Sequence, residues 1–329
     1  MKETDIRPDH LHRRYLELSA QDAERCFAEF ERVSICCVAC GSHEATFEFE
    51  KFGFSYSICR RCGTLFQSPR PPLVAFEAFY RDSVSSRFWA EQFFPAVAEV
   101  RRSSIFVPRV ERLATLCAQK GLGIERLIDV GAGYGTFLEE WRARFPGTDL
   151  LAVEPSQNLA QVCRQKSLPV IEDIAENVLP SDGRADLVVC FEVLEHAYDP
   201  VNLIRQLASL TKPGGHVFVS TLSVDGFDIQ TLWKNSRSIF PPHHINFLSI
   251  KGLYAAFKRA GLTDVDVSTP GKLDVDIVAN AYGADSTVLD GNRFAKLIIG
   301  NEQCSAAFQV FLSHNCLSSH AWILGRSPL

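Results

Sequence analysis

No run of about eighteen apolar residues occurs along the 329 positions, so no membrane-crossing helix is expected. A basic surplus is missing too: 34 Lys and Arg stand against 39 Asp and Glu, a formal net charge of −5. Proteins that grip nucleic acid draw most of their affinity from cation–phosphate contacts. No nucleic-acid partner is therefore expected, and a small-molecule substrate is the better reading. The opening Met1-Lys2-Glu3-Thr4-Asp5 lacks the apolar core of a secretion signal, so the expected location is cytoplasmic. Repeats and low-complexity tracts are also missing. Cysteine, by contrast, is plentiful, with 11 residues. In a chain of this size without a secretion signal, free thiols or a metal site account for them better than disulfides.

Four regions follow from the pattern. Residues 1–32 read as an N-terminal helical segment, amphipathic from about Tyr15 to Phe30. Residues 33–70 carry paired cysteines and strand-like aromatic runs, closing on Pro69-Arg70-Pro71-Pro72. Residues 71–122 form a helical connector, with Phe76, Phe79, Tyr80, Phe88, Trp89 and Phe93 spaced for one buried face. From 123 to 329 strand and helix alternate. Strands are expected at 126–130, 150–153, 169–171, 187–191 and 216–220, with helices at 136–144 and 157–166 between them. A further helix starts at Asp199 as N-cap with Pro200 behind it, and Gly214-Gly215 is expected to stop it. A helix at 250–260 ends on Gly261, and 265–267 and 321–325 supply the last strands. Such alternation predicts an α/β fold: a Rossmann-like, doubly wound, mostly parallel seven-stranded sheet, with a small cysteine-bearing module ahead of it.

That module has the spacing C-x2-C, eighteen residues, C-x2-C, formed by Cys37, Cys40, Cys59 and Cys62. Two thiolates on each tight knuckle can reach one tetrahedral Zn²⁺, and Gly41 and Gly63 let the chain turn back. Four sulfurs close the coordination, so the expected zinc ribbon is structural. Cys36, beside Cys37, leaves a one-residue alternative in register.

The segment Leu127-Ile128-Asp129-Val130-Gly131-Ala132-Gly133-Tyr134-Gly135-Thr136 joins the first strand of the alternating region to its first helix. Glycines there let the backbone turn sharply and approach a ligand. Thr136 stands where a dinucleotide fingerprint would place its last glycine, which weakens a pyrophosphate reading. Glu154 ends the next strand, where a carboxylate can accept two hydrogen bonds from ribose hydroxyls.

With these pieces the chain resembles the class I S-adenosylmethionine-dependent methyltransferases, from Leu127 nearly to the C-terminus. Further matching pieces are Val170-Ile171-Glu172-Asp173-Ile174-Ala175-Glu176, the run from Asp186 to His196, Leu210-Thr211-Lys212-Pro213-Gly214-Gly215 and Ala260-Gly261-Leu262. The resemblance implies a cofactor site in which Gly131 and Gly133 cradle the methionine and ribose and Glu154 holds the ribose. Asp173 and Ile174 would flank the adenine, and Cys190 and Phe191 the methionine end, with Asp129 and Gly135 completing the set. Glu195 and His196 are expected to shape the loop after the fourth strand. Zinc ribbon plus methyltransferase is similar to a bacterial group that includes deoxysugar C-methyltransferases.

One segment remains: Phe240-Pro241-Pro242-His243-His244-Ile245-Asn246-Phe247, before the 250–260 helix. It is expected to overhang the carboxyl ends of the strands, where open α/β sheets bind ligands. Histidine's ordinary pKa near 6.5 would let it take a proton there. The sugar C-methyltransferases carry a Tyr-x-Glu-His element at a similar place. His244 matches its histidine, whereas Pro241 and His243 replace its tyrosine and glutamate. His244, with His243 beside it, is thus the candidate catalytic base. The expected activity is methyl transfer to a small acceptor, sugar-derived or from secondary or polysaccharide metabolism. The competing readings are an RNA methyltransferase whose ribbon grips RNA and a non-catalytic cofactor-binding module.

Overall fold

The computed structural model describes residues 2–179 and 183–329, and its strands build two sheets. The cysteine module supplies β1 (Ala45–Lys51), β2 (Phe54–Cys59) and β3 (Leu65–Gln67). Next come β4 (Arg126–Val130), β5 (Asp149–Val153), β6 (Val170–Ile171), β7 (Ala185–Phe191) and β8 (Thr211–Leu222). The chain ends with β9 (Asn246–Phe247), β10 (Thr263–Ser268) and β11 (His320–Arg326). The larger sheet has the order β10-β11-β8-β7-β4-β5-β6. Strands β4 to β8 pair in parallel, while β11 runs antiparallel to both β8 and β10. This is the expected Rossmann-like, mostly parallel seven-stranded sheet. None of the helices among the described residues is long and apolar enough to cross a membrane.

Both faces of the sheet are covered, which is why its strands read as nearly continuous apolar runs. Alternate residues serve opposite faces. Val188 and Cys190 of β7 join Ile128, Val130, Val217 and Val219 under the helices Pro200–Ser209 and Ile250–Arg259. Leu187 and Val189 join Leu127, Phe218 and Leu324 under Val107–Gln119 and Thr136–Arg144. The chain passes outward from β4 to β6 and then returns to β7, beside β4. Strand order reverses at that point, and open sheets bind ligands beyond the carboxyl ends there.

Three expectations change. Gly214-Gly215 does not stop a helix: Pro200–Ser209 ends earlier, and the two glycines lie inside β8. There the register slips, so that Ala185 faces Thr211 while Leu187 faces His216. The 71–122 connector consists of Leu73–Asp82, Val84–Phe88, Phe94–Arg101 and Val107–Gln119, joined through wide turns at Trp89–Phe93 and Arg102–Phe106. Its aromatic face holds for Phe76, Phe79, Phe88 and Phe93, whereas Tyr80 is exposed. The helices Asp274–Ala284, Arg293–Ile299 and Glu302–His314 stand between β10 and β11, where the strand–helix pattern places no element.

The cysteine module is joined to the larger body by backbone bonds. β9 adds to its sheet, giving the order β1-β2-β3-β9 with Leu65 opposite Phe247 and Phe66 opposite Asn246. Gln67 N donates to Ile245 O at 2.9 Å, and the Tyr56 hydroxyl donates to His244 O at 2.7 Å. A two-residue strand carries no periodicity of its own, so the sequence pattern cannot reveal it.

Phe218 tests the core. Its ring is fully buried on β8, edge-on to Trp322 of β11 at 5.0 Å and tilted against Phe191 of β7 at 5.5 Å. Phe218→Ala should lower unfolding free energy by about 3–5 kcal/mol, read from urea denaturation. A loss below about 1 kcal/mol would mean that this three-strand contact is misplaced.

Candidate active site

At the carboxyl end of β4 the chain turns on three glycines with positive φ: Gly131 at 77°, Gly133 at 55° and Gly135 at 67°. Their surroundings differ. A Cβ on Gly131 would meet Val193 at 2.7 Å, and one on Gly135 would meet Leu168 at 2.6 Å. Nothing lies within 4 Å of one on Gly133, so Gly133 alone faces open space while its neighbours pack. Glu154, just past β5, accepts from Gly133 N at 2.8 Å through Oε2 and from Ser156 N at 2.9 Å through Oε1. Burial raises its pKa and outweighs these two amides, which lower it. Asp129 lies inside β4, and its Oδ1 has no hydrogen-bond partner. Burial pushes this carboxyl up to about 8, against the pull of Arg109.

The other expected cofactor residues are placed less directly. Asp173 Oδ1 accepts from Ile174 N and from Asn177 Nδ2, each at 2.8 Å, beside the turn Ala175–Asn177. The Ile174 side chain is exposed. Cys190 sends its thiol into the core, and Phe191 packs on Phe137 at 4.5 Å with the Arg109 guanidinium over its ring. Neither side chain stands open. The connector helices lie over the loop: Tyr134 stacks on Phe94 at 4.1 Å, and its hydroxyl donates to Ala90 O.

A polar recess adjoins the loop, because β7 pairs directly with β4 and the Gly131 position touches Val193. Glu192 Oε1 accepts from Arg109 at 3.2 Å and from the Ser220 hydroxyl at 2.5 Å, with His320 at 3.5 Å. Burial would raise its pKa, but His320, Arg109 and Ser220 hold it at about 2. The Glu192 side chain still keeps 36% of its surface accessible although protein surrounds it, as a residue lining a recess should. Glu195 is buried, accepts from the Thr221 hydroxyl at 2.9 Å, and is pushed up to about 8 by burial and by Glu192. Burial pushes His196 down to about 4.

The structure brings His244 into this recess, its ring centroid 4.8 Å from that of His196. Its Nδ1–H donates to Ser238 O at 2.7 Å, which leaves Nε2 with a lone pair. Burial and the neighbouring His196 push its pKa down to about 3. His243 is buried more deeply, with Nε2 at 3.2 Å from both the Ser19 and Ser85 hydroxyls and its ring stacked on Phe240. Burial holds it, too, well below histidine's ordinary range. The expectation that a histidine here titrates near neutrality is therefore corrected: both rings are neutral at pH 7, because burial disfavours the cation. Pattern reading also passed over Arg109, Glu192, Thr221 and His320. Arg109 did carry a signal, a lone cation on the apolar face of its helix beside Val110 and Leu113.

In the cysteine module the four sulfurs of Cys37, Cys40, Cys59 and Cys62 lie within 4.8 Å of one another. Cys37 stands 3.5 Å from Cys62, and Cys40 the same distance from Cys59. A tetrahedral ion with legs of about 2.3 Å needs sulfur–sulfur edges of roughly 3.8 Å, so this quartet fits one. Backbone amides of Ala39 and Cys40 face the Cys37 sulfur, and that of Thr64 faces Cys62, as thiolates require. Cys36 lies outside the quartet with its sulfur on His43 Nδ1 at 3.2 Å, which removes the register alternative.

This combination of sheet order, glycine turn and strand-end acid defines a Rossmann-like methyltransferase. Residues 97–267, just over half of the 329, match the family described as methyltransferase domain. The ubiquinone biosynthesis O-methyltransferase of Xanthomonas euvesicatoria pv. vesicatoria (strain 85-10) is 32% identical over 170 residues, covering 48% of this chain and 70% of that protein. The enzyme of the same name from Ralstonia nicotianae (strain ATCC BAA-1114 / GMI1000) is 37% identical over 118 residues, covering 34% of this chain and 49% of its own length. The chain thus spans only about half the length of several such relatives. Among solved structures, the plantazolicin methyltransferase BpumL in complex with SAH matches with a TM-score of 0.51 at 11% identity, covering 77% of this chain and 94% of that one; this likeness concerns the fold alone. The chain belongs to the methyltransferase-domain family and is a class I S-adenosylmethionine-dependent methyltransferase.

The unfilled space at Gly133, the orphaned Asp129 oxygen and the strand-end Glu154 fit such a cofactor. Titration calorimetry with S-adenosylhomocysteine should show at least tenfold weaker binding for Glu154→Ala and for Gly133→Leu, as the loss of one charge-assisted bond of about 1.5–3 kcal/mol implies. Unchanged affinity in both variants, with folding intact, would place the cofactor elsewhere.

Proposed function

We propose that this protein methylates an oxygen of a small, hydroxyl-bearing acceptor, with the cofactor in the Gly131–Gly135 cradle and the acceptor in the recess lined by Glu192, Glu195, His196 and His244. The observation that carries this reading is the adjacency of the two: the glycine turn leaves β4 and the acidic loop leaves β7, its parallel neighbour. An oxygen acceptor is supported by the printed activity of the curated relatives, O-methyltransferases of ubiquinone biosynthesis. That favours oxygen over the sugar carbon suggested by the deoxysugar group. Within the cradle, Gly131 and Gly133 take the methionine and ribose, Glu154 the ribose hydroxyls, and Asp129 a polar group of the same ligand. Gly135 keeps the turn tight, while Asp173, Ile174, Cys190 and Phe191 border the adenine and methionine ends mainly through their backbone and loop positions. S-adenosylmethionine, when bound, supplies a methyl group already activated on a sulfonium. The protein's own task is then mainly positioning.

His244 performs part of that task. Its neutral ring, fixed by Ser238 through Nδ1, presents Nε2 as an acceptor for a hydroxyl in the recess. A group with pKa near 3 is a weak base at pH 7, so His244 orients the acceptor more than it removes the proton. His243 supports it from behind, tied to Ser19 and Ser85. With the true acceptor in hand, His244→Ala should lower kcat by about 10²-fold, the scale of a small misplacement, and leave cofactor affinity nearly unchanged. Equal loss of cofactor affinity, or no loss of turnover, would contradict this role.

We also infer that Cys37, Cys40, Cys59 and Cys62 hold one structural Zn²⁺. Because β3 of that module pairs with β9, the ion also steadies the segment that bears His244. Elemental analysis should give one zinc per chain, and Cys59→Ser should both lose it and speed amide hydrogen exchange at Asn246 and Phe247. A zinc-free native protein would refute the assignment.

A further inference from the structure

The geometry points to a second metal-ion site in the recess itself, formed by Glu195, His196 and His244 and suited to a divalent transition ion. One carboxylate oxygen of Glu195 and one ring nitrogen from each histidine lie within 4.8 Å of one another. The two rings meet edge to face at 67°, with centroids 4.8 Å apart, rather than stacking.

Each candidate ligand is held from its far side. His244 gives Nδ1–H to the Ser238 carbonyl at 2.7 Å, which leaves Nε2 unprotonated. The His243 carbonyl serves as the backbone partner of the His196 ring, with the Tyr80 hydroxyl at 3.4 Å from Nδ1. Thr221 donates to Glu195 Oε2 at 2.9 Å, which fixes the carboxylate's orientation. Metal-binding histidines characteristically spend their second nitrogen on a carbonyl or hydroxyl in this way, which fixes tautomer and aim. The two chain segments are also locked together, since Ile245 N and Asn246 N both donate to Glu195 O, at 2.9 and 3.1 Å. Three ligands, two from the loop after β7 and one from the segment before β9, are thus set in one rigid frame.

Charge argues the same way. Glu195 is 1% exposed, and the nearby cation Arg109 pairs with Glu192 at 3.2 Å. Glu195 therefore shares no direct ion pair with Arg109, and a divalent ion would give its carboxylate a partner in place of the proton that burial favours. Two imidazoles and one carboxylate suit divalent first-row ions, from the harder Mn²⁺ to the borderline Co²⁺ and Zn²⁺, and three protein ligands leave positions open. His196 and His244 both keep accessible surface, so the open positions face the recess. Here the inference rests on the acceptor reading above and refines it. With an ion bound, His244 Nε2 would hold the ion rather than the hydroxyl and orient the acceptor through it. The open positions would take hydroxyl oxygens, which makes an acceptor with two neighbouring oxygens the best fit.

Mn²⁺ is the probe of choice, because hard ions avoid the thiolates of the cysteine quartet. Protein carrying its cysteine-bound metal is titrated with Mn²⁺, and loss of the free-ion electron paramagnetic resonance signal is followed. One Mn²⁺ per chain should bind, at least tenfold more weakly in Glu195→Gln and in His196→Gln. S-adenosylhomocysteine binding, measured on the same samples, reports folding. Absence of binding at about 1 mM free Mn²⁺, or equal binding in both folded variants, overturns the site. If S-adenosylhomocysteine binds wild type while Mn²⁺ does not, only the ion site falls; if neither binds, the methyl-transfer reading falls as well.

Discussion

The parallel pairing of β4 with β7 is the contact on which the site depends. It sets Asp129 opposite Val189, so the two chains leave the sheet side by side, one as the glycine turn and the other as the acidic loop. Gly131 must then lack a side chain, because Val193 of the partner loop already occupies the place. Shifting this register by one residue would turn Val188 and Val189 to the wrong faces and separate cradle from recess together. Core packing and chemistry are therefore fixed by the same ladder.

The second constraint comes from outside the sheet. Three small features hold the histidine segment: the β3–β9 bonds, the Tyr56 hydroxyl on the His244 carbonyl, and the Ser249 hydroxyl on the Cys62 carbonyl. All three reach back to the cysteine module. A metal there would act at a distance, through backbone that carries the recess wall. The N-terminal helix Asp9–Phe27 adds to this wall, since its Ser19 meets His243 and its Phe27 packs on Phe54, Phe76 and Phe79.

Much of this was readable from residues alone, for physical reasons. Buried parallel strands announce themselves as apolar runs, glycine turns by composition, and metal knuckles by spacing. Gly214-Gly215 misled because glycine marks a bulge as readily as a helix end. The helices between β10 and β11 gave weak signals, although Asn292 and Asn301 do cap two of them. The histidine pair was found as a place but not as a state. Spacing carries no information on burial, and burial is what keeps both rings neutral. Arg109, Glu192 and His320 come from a helix and two strand ends far apart in sequence, so only the folded chain joins them.

The central claim is that cofactor cradle and acceptor recess share one junction between β4 and β7. A crystal structure with S-adenosylhomocysteine tests it most directly. The account predicts ribose hydroxyls on Glu154, backbone contact at Gly133, and the sulfur opening toward Glu192, Glu195 and His244. A ligand seated elsewhere, or a sulfur turned away from that recess, would contradict it.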